Sequence, residues 1–201
     1  MQPNRHVRRE FLAAFRELAG RIAGTLTQVP KRMLPVKMYV AGGAAFHLYT
    51  GQRLSDDIDA SFSHRIALPD DLEVSYKGAD GTAELLYFDR QYNDTLGLLH
   101  EDAYDESLPL KLDGINPALL DVRLLSPLDL AVSKLSRFAE QDRDDIVALA
   151  RLKLVDASGL RARAQAALGG YVGDTGRVQG SIEVACRILD DLEKRASKRR
   201  T

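Results

Sequence analysis

The chain has 201 residues, of which 45% are hydrophobic and 28% charged, with a formal net charge of −1. That length buries about 70% of the unfolded surface without disulfide or metal staples, and the composition is that of a globular protein rather than a disordered or fibrous one. The balanced charge excludes a whole-molecule basic field for nonspecific nucleic-acid binding, and no apolar run approaches the roughly 20 residues of a membrane span.

The first element is a helix over about 5–27, where Val7, Phe11, Leu12, Phe15, Leu18, Ile22 and Leu26 recur every three or four positions. Pro30 and Pro35 bracket a loop, and Val36 to Val40 reads as a short strand running into Ala41-Gly42-Gly43. Ala44 to Tyr49 is a short helix ended near Gly51. Asp57 to Phe62 is a second strand, and residues 72–88 form a hairpin turning at Gly78-Ala79-Asp80-Gly81. Thr95 to Leu99 and Leu119 to Leu124 are further strands. Ser126-Pro127 opens a helix, with Ser126 as cap, whose apolar face runs from Leu128 to Phe138. Helices over about 141–154, 157–168 and 176–195 complete the chain, with a break at Gly169-Gly170. The expected fold is therefore α+β: a mixed β-sheet core flanked by helices over residues 1–125, then an all-helical part over 126–201.

Two basic clusters, Arg5, Arg8 and Arg9 and then Lys194 to Arg200, read as solvated termini, with a weak RNA or phosphate contact as the alternative. No apolar h-region follows the first, so no secretory signal is expected. Cys186 lies in an apolar helical pattern and reads as a core residue in a reducing, cytoplasmic setting. The dispersed histidines have no zinc spacing. His47 reads as a packing residue and His100 as a candidate for a phosphate or ribose contact.

The chemistry is concentrated in Gly42-Gly43 and Arg53-Leu54-Ser55-Asp56-Asp57-Ile58-Asp59. Strand residues two apart share a face, so Asp57 and Asp59 are expected to present both carboxylates together. Such a pair repels itself unless a cation joins it, and hard oxygen ligands suit Mg²⁺, which takes its other ligands from water and phosphate. The glycines let backbone N–H groups approach a phosphate at a helix N-terminus. Either motif alone is weak; strand, Gly-Gly, helix and then Asp-hydrophobic-Asp is far more specific.

That order resembles the signature of the nucleotidyltransferase superfamily of the DNA polymerase β type. Leu125-Ser126-Pro127-Leu128-Asp129-Leu130-Ala131-Val132-Ser133-Lys134-Leu135, continuing through Arg137 to Asp142-Arg143-Asp144-Asp145-Ile146, is similar to bacterial nucleotidyltransferases related to the abortive-infection type II (AbiEii-like) toxins. The resemblance covers roughly residues 36–150. It implies a nucleotidyltransferase-like core that moves a nucleoside monophosphate from an NTP to an acceptor hydroxyl, with two Mg²⁺ ions when NTP is bound. Asp57, Asp59 and a third carboxylate would be catalytic and hold the metal; Asp102, expected at the end of a strand, is the first choice, then Asp89, with Glu101 and Asp121 behind. Gly42, Gly43, Arg53, Ser55 and Lys134 would bind the nucleotide. Lys134 has a second reading, a stem covering the core with its ammonium in water, and Asp142 and Asp145 read as surface charge or as part of the site. The acceptor is left open between tRNA, protein and small molecule, and an antitoxin is a partner the resemblance raises. The competing readings are a catalytically silent nucleotide-binding module and, behind it, a hydrolase.

Overall fold

The computed structural model describes residues 1–94 and 97–198 and divides into two units, residues 1–92 with 107–125 and residues 93–106 with 126–201. The fold is α+β.

In the first unit the strand β1 (Val36–Val40) is buried along almost its whole length, as a near-continuous apolar run requires of a central strand. It pairs parallel with β7 (Leu120–Leu124) and antiparallel with β3 (Ala60–Phe62), and β6 (Leu108–Pro109) closes the sheet beyond β7. A second sheet has the order β2 (Asp57–Ile58), β5 (Ala83–Phe88), β4 (Glu73–Lys77). The hairpin expected over 72–88 is the antiparallel pair β4–β5, closed where the Gly78 and Gly81 N–H groups donate to the Thr82 and Gly78 carbonyls. Helix α1 (Arg9–Thr25) buries Phe11, Phe15, Leu18 and Ile22 and packs on β4, β5 and β7.

The single strand expected over Asp57–Phe62 is two strands in two sheets. Successive carbonyls serve different neighbours: Ile58 O accepts from Asp89 N–H beyond β5, whereas Asp59 O accepts from Ala41 N–H beyond β1. Asp59 is the pivot at which the chain changes sheets. The strand expected at Thr95–Leu99 begins on residues outside those described, and Gly97 to Leu99 are not in a strand. The short β6 carried no sequence signal, since two residues set no period.

Helix α2 (Gly42–Thr50) follows β1 at once and ends on Gly51, whose φ of +69° is the left-handed conformation a C-cap glycine supplies. Tyr49 Oη donates to Leu125 O at 2.7 Å, which ties α2 to the end of β7; a bond of this kind contributes about 1 kcal/mol net.

The second unit is helical: α3 (Pro127–Ser133), α4 (Glu140–Arg151), α5 (Ala157–Ala167) and α6 (Thr175–Lys198). Ser126 caps α3 as expected, accepting from Asp129 N–H at 3.0 Å. This helix ends earlier than the apolar pattern suggests, with Lys134 as its C-cap and Phe138 at a positive φ of 51°. Fully buried Asp129 takes a two-pronged pair from Arg163, at 2.7 and 3.0 Å, the geometry that makes a guanidinium a good partner for a buried carboxylate. Cys186 is buried on α6, where burial pushes its thiol above the ordinary value. Among the described residues no helix is long and apolar enough to cross a membrane.

His47 is a fully buried packing residue on α2, edge-on to Phe11, with Nδ1 on Gln52 O and Nε2 accepting from Arg8 N–H. Both ring nitrogens are used by the neutral form. Burial holds its pKa below the ordinary 6.5, against bonds to Gln52 and Arg53 that act the other way. Between the two values the unfolded chain binds more protons, so stability is full above about pH 6.5 and falls as pH drops towards the folded value. His47→Phe is expected to flatten that slope in urea melts between about pH 5 and 7; an unchanged slope would show that other groups set it.

Candidate functional site

The turn from β1 into α2 brings the chemistry-bearing residues together. Gly42 has a φ of +57°, which a residue with a side chain adopts at a cost of about 1–2 kcal/mol. Space forbids one as well: a Cβ at Gly42 would lie 1.8 Å from Asp59 Oδ2. The Asp59 carboxylate therefore rests directly on the backbone of the first turn of α2, at the positive end of that helix. A Cβ at Gly43 would lie 2.2 Å from Ser55 Oγ and 3.3 Å from an Arg53 guanidinium nitrogen. The paired glycines are thus the surface against which residues 53–59 pack.

Asp57 opens β2 and is half-buried, while Ile58 turns into the core. Ser55, 7% exposed, donates its hydroxyl to Asp57 Oδ1 at 2.6 Å. Its proton is directed at the carboxylate. Arg53 lies over the Phe46 ring at 5.5 Å and donates to Leu54 O at 3.3 Å, with its guanidinium beside Gly43.

Beyond β2 lies β5. Asp57 is in register with Tyr87 and Ile58 with Phe88, and continuing that parallel register sets Asp89 beside Asp59. The Asp89 N–H donates to Ile58 O at 3.1 Å, and Asp89 Oδ1 accepts from Gln91 N–H at 2.8 Å. Tyr87 senses the whole group. Its phenol is pushed above the ordinary 10.0, first by the charge of Asp57, then by burial and by Asp89, Asp56 and Asp59. The sequence did not single out Tyr87, although strand alternation through Phe88 sets it on the same face as Asp89. Among the described residues no group of three or more His, Cys, Asp or Glu is arranged to hold a metal by itself.

A family model described as a nucleotidyltransferase of unknown function (DUF6036) matches residues 20–174, which span these glycines and carboxylates. The chain belongs to this family. No curated protein and no solved structure matches it.

Other residues expected in the nucleotidyltransferase site lie in the second unit. Asp102 does not close a strand: it sits in the turns of residues 101–106, more than half exposed, with its carboxylate 3.7 Å from His100 Nδ1. The apolar run before it misled, because Leu98 is buried without being in a strand. Glu101 is exposed; Asp121, in the first unit on β7, pairs with Arg123 at 3.0 Å.

Lys134 corrects the expectation of an ammonium in water. It is 7% exposed, its Nζ 2.7 Å from Asp145 Oδ2 and 3.9 Å from Asp142 Oδ1. Asp142 also takes two bonds from Arg137, at 2.8 and 2.7 Å. Burial pushes the Asp142 carboxyl up, but Arg137, the Ala139 N–H and the Lys134 charge outweigh it and hold the group below its ordinary value. Buried Lys134, Asp142 and Asp145 form, with the exposed Arg137, one ion network.

Lys134→Met takes the ammonium from a nearly buried Asp145 and is expected to destabilise the protein by about 3 kcal/mol or more. Replacing both groups, as Lys134→Met with Asp145→Leu, should recover most of that loss, since a buried pair and its apolar replacement differ little. Denaturant midpoints of the two variants check this; a single variant as stable as wild type would contradict it.

Proposed function

We propose that the protein transfers a nucleoside monophosphate from an NTP to an acceptor hydroxyl, in the manner of the polymerase β-type nucleotidyltransferases. The hydroxyl oxygen bonds to the α-phosphorus, the bond from that phosphorus to the pyrophosphate oxygen breaks, and the hydroxyl proton passes to a nearby carboxylate or solvent. The observation that carries the reading is the seating of Asp59 on Gly42, which joins a carboxylate to the helix N-terminus where a phosphate would bind.

Asp57 and Asp59 fit Mg²⁺ by their chemistry: two hard carboxylates, no competing sulfur or imidazole, and a glycine whose missing side chain leaves room for the approach. With fewer than three protein ligands gathered, the remaining positions would be filled by water and by the triphosphate of the bound NTP. When bound, the two ions would neutralise charge at the attacking and leaving oxygens. Ser55 orients Asp57 through the 2.6 Å bond, so this carboxylate keeps one geometry. Gly42 and Gly43 offer backbone to the triphosphate, and Arg53 is the cation nearest that cradle among the residues we assign. Lys134, already paired with Asp145, is left out of the nucleotide contacts.

For the third carboxylate we assign Asp89, just past β5, the strand that pairs with that of Asp57, as a catalytic group rather than a metal ligand and in place of Asp102. A toxin role under an antitoxin's control belongs to the same proposal and rests on the AbiEii-like resemblance of residues 125–146 alone.

The test is ATP-dependent pyrophosphate release with a cell-extract acceptor pool. Asp57→Asn and Asp89→Asn should each lower the rate by about 100-fold or more, the scale of removing a general base or a transition-state charge contact, with unchanged melting temperature. Asp102→Asn should retain wild-type activity. Loss in Asp102→Asn with full activity in Asp89→Asn would reverse the assignment, and a wild-type protein that binds ATP without releasing pyrophosphate would favour the silent-module reading.

A further inference from the structure

We propose that residues 4–8 form a strap across the C-terminal end of α2, and that His47 is the positioning residue through which this strap holds the loop 51–55, and with it Arg53, against the nucleotide cradle. This rests on the nucleotidyl-transfer reading and adds to it the device that keeps one nucleotide contact in place.

The first argument is the strap. A helix leaves its last carbonyls without partners of its own. At the end of α2 the His47 carbonyl accepts from Gly51 N–H at 2.8 Å. Those of Leu48 and Tyr49 accept from Asn4, from its backbone N–H at 3.0 Å and its side-chain amide at 2.8 Å. A residue 45 positions from Tyr49 in the chain thus caps the helix. Asn4 is fixed in turn: its Oδ1 accepts from His6 N–H at 2.9 Å and its carbonyl from Val7 N–H at 3.0 Å. The strap then lies directly on Gly51, where a Cβ would stand 2.4 Å from His6 Cβ and 2.6 Å from the His6 carbonyl carbon.

The second argument is the His47 ring. Its Nε2 accepts from Arg8 N–H at 3.3 Å, which puts the ring proton on Nδ1, and Nδ1 donates to the Gln52 carbonyl. One imidazole therefore joins the strap to the loop. Packing edge-on against Phe11 needs neither bond. The ring is fully buried, so a nitrogen left without its partner would cost stability, and the two contacts hold each other in place.

The third argument is what the loop carries. Gln52 precedes Arg53, whose guanidinium lies over Phe46 at 5.5 Å and 3.3 Å from the point a Cβ at Gly43 would occupy. Phe46 and His47 are consecutive on α2, so the helix holds the loop twice: His47 on the carbonyl before Arg53, and Phe46 under the Arg53 side chain. An arginine on an untethered loop spreads over many conformers. A ligand that needs one of them binds more weakly in proportion to the fraction of molecules that have it. The strap raises that fraction from the far end of α2, while the near end carries the glycines.

The test is the Kd for Mg·ATP by titration calorimetry on the full-length protein, with melting temperatures alongside. Arg53→Met should raise the Kd about tenfold, the scale of a lost charged contact. Glutamine at position 47 can still accept from Arg8 N–H but loses the Gln52 bond, so His47→Gln should weaken binding nearly as much. Asparagine keeps an amide N–H near the Nδ1 position, so His47→Asn should stay within about threefold of wild type. The double variant His47→Gln with Arg53→Met should lie within about twofold of Arg53→Met alone, because the one change acts through the other. Wild-type affinity in a folded His47→Gln, an equal loss in His47→Asn, or losses that multiply in the double variant would overturn the proposal. Asn4→Ala alters only the strap and should raise the Kd about threefold. If the His47 variants do not fold, it decides: an unchanged Kd there would overturn the strap. Failure of the wild-type protein to bind Mg·ATP would sink the transfer reading itself, and the strap's role with it.

Discussion

The seating of Asp59 on Gly42 constrains everything around it. A side chain at Gly42 would collide with the carboxylate at 1.8 Å and strain a backbone already at positive φ. With none there, the first turn of α2 and the Asp57–Asp59 segment share one surface. The same residue is the point at which the chain leaves the β2–β5–β4 sheet for the sheet built on β1. A fold that requires a bare backbone at the end of a buried strand and a carboxylate resting upon it holds the helix N-terminus and that carboxylate in fixed relation.

The treatment of carboxylates differs between the two units. In the helical unit the buried acids are matched by full cationic charge: Asp129 by Arg163, Asp142 by Arg137 and Lys134, Asp145 by Lys134. Those are scaffold interactions, and disrupting one partner strands a charge in low dielectric. Next to β2, Asp57 accepts from the Ser55 hydroxyl and Asp89 from the Gln91 N–H, both neutral donors. Neutral donors orient a carboxylate without cancelling its charge, and the charges of Asp57 and Asp89 raise the Tyr87 phenol above its ordinary value.

Local chemistry made much of this legible in the sequence. The β4–β5 hairpin, the central strand β1, the Gly51 stop and the Ser126 cap each follow from a few neighbouring residues, and the structure has them. The Gly-Gly and Asp-Ile-Asp motifs could be read as belonging together only by their order along the chain, and they do pack together. What sequence could not supply was long-range pairing. Nothing in Asp57–Phe62 shows that its carbonyls serve two different sheets, since alternation looks the same in one strand or two. The third carboxylate depends on which strand lies beside β2, and the described residues before Asp102, Gly97 to Glu101, are not in a strand. The alternative reading of Lys134, an ammonium in water, fails for a related reason: its partners Asp142 and Asp145 come from the next helix, and a one-dimensional pattern gives a lysine on an apolar stretch no visible counter-charge.

The central claim is that Asp57 and Asp59 form a nucleotide site completed by a divalent cation. Titration calorimetry of the full-length protein with ATP, once with Mg²⁺ and once with chelator, tests it most directly. The account predicts binding with Mg²⁺ and a loss of at least about tenfold in affinity with chelator, since paired carboxylates repel an uncompensated triphosphate. Equal affinity under the two conditions would contradict it.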